Sequence, residues 1–251
     1  MIIYLATPTT ILSYDKSITN GVYVLETYHA IRKKKDLDWI EPDKFILDSG
    51  AYTYMRGNGG DQSKTNWEKY IEEYAEFILT NKVKHFFELD IDKIVGYPRV
   101  KELTKRLNDL TGMRCLPVWH KSRGMNAWHE MIEENEYISL SASGNNGSSE
   151  WTRTPDGEKV LYKLNEMARK KNVRVHALGY TRLEQLKKIP FYSCDSTSWT
   201  FGVRSGGVHQ FIDGKITRIE KPVGTKCNVP KVSVHSYNEW KKLQKYFILN
   251  H

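Results

Sequence analysis

Short β-rich runs alternate with amphipathic segments along nearly the whole chain, and few folds accommodate that rhythm. Parallel strands cannot be joined by tight turns, so each needs a crossover, usually a helix. The strand-like runs are Ile2–Ala6, Lys44–Leu47, His85–Leu89, Cys115–Trp119, Tyr137–Ser141, Val173–Leu178 and Phe191–Cys194, with a weaker eighth at Gly207–Ile212. Helix signals lie between most of them. Thr65 and Glu68 form a capping-box pattern ahead of Trp67, Ile71, Tyr74 and Ile78, which recur at helical spacing. Pro98 sits where a first-turn proline is tolerated, Thr154-Pro155 opens another helix, and Thr181 with Glu184 and Ser236 with Glu239 predict two more starts. Seven or eight strands with helices between them, in 251 residues, predict one (β/α)8 TIM-like barrel domain spanning residues 1–251. A doubly wound open sheet is the alternative. No Gly-x-Gly-x-x-Gly follows the first strand and no Walker loop occurs, which weakens a dinucleotide or P-loop reading. The polar stretches Arg56–Asn66 and Ser143–Gly157 read as loops within the domain.

Composition narrows the partners. Seven Trp and fifteen Tyr suit a folded protein that can stack flat ligands. A net charge of +8 fits a polyanionic partner as well as it fits a merely solubilising surface. Three scattered cysteines, Cys115, Cys194 and Cys227, are too few for a disulfide framework or a Cys-rich zinc site, so a reducing cytoplasm is expected. The amino terminus has no signal-peptide pattern and no window is long and apolar enough for a bilayer, so neither export nor a membrane partner is expected.

In a barrel of this kind the chemistry gathers at the carboxyl ends of the strands. Those ends are polar here: Asp48 in ILDSGAY, then Glu88, Asp90 and Asp92 in FFELDID, His120 in PVWHKSRG, and Ser139, Ser141 and Ser143 in YISLSASG. His176 and Gly179 follow in VHALGY, and Asp195 in FYSCDSTSW. Each has a plain explanation as a turn or cap. Three carboxylate positions and two histidines converging on one rim favour a site, because crowded carboxylates are costly unless something uses them.

FILDSGAY resembles the Asp-Ser-Gly strand and loop of the tRNA-guanine transglycosylase family, and VHALGYTRLEQLKKIPFYSCDSTSW resembles its Gly-rich segment, helix and nucleophile strand. FELDIDKIVGYP, PVWHKSRG and YISLSASG fall in matching order between them, so the likeness covers most of Phe45–Trp199. Members acting on tRNA carry a Cys-x-Cys-x-x-Cys zinc site with a later His. Only Cys227 occurs in that region here, so no such site can form. The chain is therefore more similar to the compact DpdA-type DNA 7-deazaguanine transglycosylases of bacteria and bacteriophages, which exchange a guanine in DNA for a base such as preQ0.

The resemblance implies a covalent mechanism without cofactor or metal. Asp195 would be the nucleophile and Asp48 the proton shuttle. Asp90 would accept the donor edge of the base, with Glu88 and Asp92 as neighbours of unfixed register, and His120 would meet the carbonyl edge. Ser49, Gly50, Ser139, Ser141, His176 and Gly179 would line the base pocket, with Tyr52 and Trp119 as stacking candidates. Lys121, Arg123, Arg153 and Arg204 are the expected phosphate contacts. The implied partners are DNA, or alternatively RNA, a free 7-deazaguanine and possible homodimerisation. Two other readings stand beside this one: a catalytically inactive nucleic-acid-binding barrel, and a metal-dependent hydrolase with Asp48, Asp90, His120, His176 and Asp195 as ligands.

Overall fold

A computed structural model describes residues 1–55, 65–141, 150–201, 207–220, 224 and 226–251. Eight parallel strands form its centre: β1 Ile2–Ala6, β2 Val24–Thr27, β3 Phe45–Asp48, β4 His85–Phe86, β5 Val118–Trp119, β6 Tyr137–Ser141, β7 Arg174–Leu178 and β8 Ser193–Ser196. They run in the order β4-β3-β2-β1-β8-β7-β6-β5, so sequence neighbours are spatial neighbours and β1 pairs with β8. The two ends of that order also meet. Phe87 bridges Leu116, with Glu88 N donating to Leu116 O at 3.0 Å and Leu116 N to Phe86 O at 2.8 Å. The sheet thus curls into a (β/α)8 barrel, as the alternation predicts.

Strand alternation sorts the side chains into two layers. Tyr4, Ala6, Leu25, Ile46, Phe87, Leu116, Val118 and Tyr137 fill the inside. Their neighbours Ile3, Leu5, Val24, Phe45, Leu47, Ile138 and Val175 face outward into the helices. These include α1 Tyr28–Ile31, α2 Ala51–Met55, α3 Trp67–Thr80, α4 Asp92–Val95, α5 Tyr97–Thr111, α6 Gly124–Glu134, α7 Pro155–Lys170, α8 Leu183–Leu186 and α9 Val229–Asn250. Helix α3 buries the predicted Trp67, Ile71, Tyr74 and Ile78 stripe, and Tyr74 shares its hydroxyl between Leu47 O and Phe87 O, each at 3.2 Å. Helix α9 closes the ring: buried Gln244 donates to Ile3 O at 2.7 Å and Tyr23 O at 2.8 Å and accepts from Tyr23 N at 3.2 Å, tying the helix to the β1–β2 edge of the barrel. No described helix is long and apolar enough to cross a membrane.

Several local expectations are corrected. Strand β2 goes unpredicted because no helix separates it from β1; the connection contains only a 3-10 turn at Pro8–Thr10. The weak eighth strand, Gly207–Ile212 (β9), pairs antiparallel with β10, Lys215–Glu220, as a hairpin outside the barrel. Its turn is Asp213-Gly214, with φ of 46° and 75°, the positive pair that a tight hairpin requires. Asn66 rather than Thr65 caps α3, accepting from Lys69 N at 3.0 Å. Arg182, not Thr181, sits at the start of α8, and Ser236 lies inside α9, whose cap is Asn228. Thr154 does cap α7, accepting from Gly157 N at 3.0 Å.

Candidate active site

Asp195 lies within β8 rather than after it. The two-residue period puts it on the same face as Ser193, pointing into the barrel. Its Oδ1 accepts from Gly179 N at 2.6 Å and contacts His176 Nε2 at 3.2 Å, and the residue is 7% exposed. Gly179 adopts φ +67°, a left-handed turn at the end of β7 that aims its N–H at the carboxylate. His176 is fully buried beneath Asp195, between the rings of Tyr4 and Phe87, so it holds the carboxylate rather than lining a base pocket. Its Nδ1 lies 2.8 Å from Ser193 Oγ, which in turn lies 2.6 Å from Tyr137 OH.

Asp48, the last residue of β3, stands across the mouth. Burial pushes its carboxyl up, the charge of Asp195 adds to the shift, and a hydrogen bond from the Gly50 amide opposes it, leaving the pKa at about 7. Asp90 and Glu26 raise it further. Glu26, at 1% exposure near the end of β2, is a buried carboxylate, close enough to act on Asp48, that sequence reasoning misses along with its strand. It accepts from Thr9 Oγ1 at 2.6 Å and Thr27 N at 2.9 Å. Gly50, at φ +80°, is required by close packing, since a Cβ there would fall 2.8 Å from His29 Cβ. Ser49 is fully buried: its carbonyl accepts from Tyr70 OH at 2.6 Å, and its Oγ has no hydrogen-bond partner among the described residues. Ser139 and Ser141 are buried too, and Ser139 Oγ donates to His176 O at 3.2 Å as part of the barrel wall.

The carboxylates after β4 gather around one cation. Arg123 was expected to meet phosphate; instead its side chain is 1% exposed, with Nη1 2.6 Å from Glu88, Nη2 2.7 Å from Asp92 and the guanidinium 4.3 Å over the Tyr97 ring. Burial alone would lower the Arg123 pKa, but the surrounding carboxylates outweigh it and hold the side chain charged. Glu88 faces this cluster and also accepts from Val118 N and Thr104 Oγ1, each at 2.9 Å. His120 Nε2 contacts Asp90 Oδ1 at 2.5 Å. Burial would raise Asp90, yet His120 and Arg123 bring it below the usual carboxylate range, whereas burial and the Asp90 charge leave Asp92 above it.

Asp90, Asp92 and His120 offer ligand atoms within 4.8 Å of one another. They fit a divalent cation poorly, because Arg123 already neutralises the carboxylates and His120 is bonded to Asp90. The five-ligand set considered from sequence also loses His176, both of whose nitrogens are engaged in the core.

Lys121 and Arg153 are exposed on the same rim, with Lys121 Nζ 5.6 Å over the Trp151 ring. Arg204, Ser143 and the Tyr52 side chain lie outside the described residues. Trp119 is core rather than a stacking surface: it packs edge-on against Trp128 and donates to Gly124 O at 2.8 Å. A separate cleft of about 430 Å³, between α1 and α3, opens on the outer wall and holds none of these residues.

These features define a (β/α)8 barrel with an acidic mouth and a cationic outer rim. No protein-family model matches the chain and no curated protein matches its sequence.

Proposed function

We propose that this protein is a base-exchange transglycosylase that replaces guanine in DNA with a 7-deazaguanine through an aspartyl–sugar intermediate. The observation that carries the reading is the pair of unlike carboxylates across the mouth: Asp195 held by two donors, Asp48 raised to about 7. Two carboxyl groups in contrasting environments are what a nucleophile and a proton shuttle need.

Asp195 attacks the anomeric carbon of the target nucleotide as the glycosidic C–N bond breaks, and the bonding pair leaves with guanine. Protonated Asp48 gives its proton to that departing base. The incoming 7-deazaguanine returns a proton to Asp48 as its nitrogen attacks the same carbon, and the ester C–O pair returns to Asp195. Two inversions give retention, with no redox partner and no energy source. Asp90 accepts the donor edge of the base, exchanging part of its bond with His120, while Lys121 and Arg153 meet phosphates. A duplex target must be flipped out to reach the mouth.

The test is incubation of the protein with DNA or RNA oligonucleotides and labelled preQ0 or guanine, with and without EDTA. Metal-independent incorporation into DNA that Asp195→Ala abolishes is expected, with an adduct mapped to Asp195. Incorporation surviving that substitution overturns the nucleophile. Incorporation into RNA alone reassigns the polymer. Among the described residues the Asp90, Asp92 and His120 cluster favours a metal-dependent hydrolase, and loss of activity in EDTA would support it.

A further inference from the structure

We infer that Tyr137, Ser193 and His176 form a one-directional hydrogen-bond relay through the barrel core that positions Asp195 and leaves its Oδ2 as the attacking oxygen. The inference rests on the base-exchange reading for its consequence, though not for its geometry. Three contacts join four groups: Tyr137 OH to Ser193 Oγ at 2.6 Å, Ser193 Oγ to His176 Nδ1 at 2.8 Å, and His176 Nε2 to Asp195 Oδ1 at 3.2 Å. Tyr137, Ser193 and His176 are buried at 7%, 0% and 0% exposure, so water is not at hand to repair a mismatch.

Counting protons fixes the direction. With a neutral imidazole protonated on Nε2 the chain holds three donors, from Tyr137, Ser193 and His176. It also holds three acceptors: Ser193 Oγ, His176 Nδ1 and Asp195 Oδ1. Every donor then finds an acceptor, and all point toward the carboxylate. A doubly protonated imidazole supplies a fourth donor to the same three contacts and strands one hydroxyl proton in the core, which is costly. The Nδ1–H tautomer would leave Nε2 as a lone pair facing the carboxylate.

The relay therefore supplies a donor to Asp195 without placing a second charge beside it. Oδ1 receives both His176 and the Gly179 amide. Among the described residues no hydrogen bond reaches Oδ2, so that oxygen bonds to the anomeric carbon when the glycosidic bond breaks. Oδ1 becomes the ester carbonyl oxygen and keeps its two donors. When the incoming base displaces the ester, the electron pair returns to a carboxylate already held by them. Tyr137, Ser193 and His176 touch neither sugar nor base, so they are positioning residues.

The experiment is ¹⁵N-histidine NMR on the full chain, with single-turnover base exchange measured on wild type, Ser193→Ala, Tyr137→Phe and His176→Gln. Expected for wild type is a neutral His176 protonated on Nε2. In Ser193→Ala the Nδ1 resonance should move toward that of an unbonded nitrogen. The single-turnover rate should fall about 10-fold in Ser193→Ala and about 10- to 100-fold in His176→Gln with KM unchanged, and least in Tyr137→Phe. A doubly protonated or Nδ1–H His176 in wild type overturns the relay whatever the activity. A wild-type rate in folded Ser193→Ala overturns its positioning role. The expected tautomer in a protein that exchanges no base supports the relay and overturns the base-exchange reading, so the two failures are distinguishable.

Discussion

Replacing Asp48 by Asn should make the protein more stable above neutral pH while removing its proton shuttle. The Asp48 carboxyl titrates near 7 in the fold against an ordinary value of 3.8, a gap of about three pH units. Each unit is worth about 1.36 kcal/mol, so ionising Asp48 costs the folded state about 4 kcal/mol, or about 2–4 once its partial solvent access is allowed for. A carboxyl raised on folding contributes stability below its unfolded pKa and loses it as pH climbs through the folded value. The wild type should therefore lose ground to Asp48→Asn between about pH 4 and pH 7, with the difference level beyond that window. Urea unfolding of both proteins at several pH values measures this directly, because titrations common to both cancel. Asp195→Asn provides an internal control: removing the neighbouring charge should lower the Asp48 pKa and shrink the wild-type loss. A stability difference that does not vary with pH, or an Asn variant weaker than wild type at pH 8, would refute the argument.

Arg123→Ala should lower stability by about 3–5 kcal/mol in urea unfolding, since it strands buried Glu88 and half-buried Asp92. Arg123→Lys should restore little of it, because an ammonium cannot bridge both partners as a guanidinium does; full stability in either variant contradicts the buried cluster. Lys121→Ala and Arg153→Ala should each leave stability within about 0.5 kcal/mol, yet reduce the salt dependence of duplex-DNA binding by about 0.9 in the log–log slope. An unchanged slope removes that residue from the interface. Gly50→Ala should cost about 1–3 kcal/mol in the same unfolding assay, because φ is +80° and the new methyl meets His29; wild-type stability would show that this approach is not tight.

The barrel was legible because alternation of strand and helix is a local pattern, written residue by residue. It failed where the local pattern was unusual. β2 lacks a helix before it, and Gly207–Ile212 reads as an eighth strand by composition although the Asp213-Gly214 pair after it is a hairpin signal. Within the site, Asp48 is readable as the last residue of its strand, whereas Asp195 lies inside β8 and its inward face follows from the two-residue period. Ser193 could have been found as well, two residues before Asp195 and hence on the same face of β8. Tyr137 could not, since its partner lies 56 residues away. Arg123 misled for a related reason: a basic residue after a strand reads as a rim cation, and nothing local reveals that Glu88, 35 residues earlier, folds against it.

The carboxylates of this mouth are accommodated in three different ways, and that division limits what the site can do. Glu88 and Asp92 are balanced by the buried Arg123, so their charge is committed to the fold, while Asp90 is held by His120, a bond it can share with a ligand. Asp195 is balanced by two fixed donors, which keeps it available to a cationic centre without requiring a counter-ion to leave. Among the described residues Asp48 has the Gly50 amide against three neighbouring carboxylates, and its pKa near 7 lets it gain or lose a proton at small cost. A phosphate placed against this floor would face repulsion, so anionic parts of a ligand belong on the outer rim with Lys121 and Arg153. What the floor accepts is a group that donates hydrogen bonds beside a carbon that becomes positive, which is how a purine departing from a sugar presents itself.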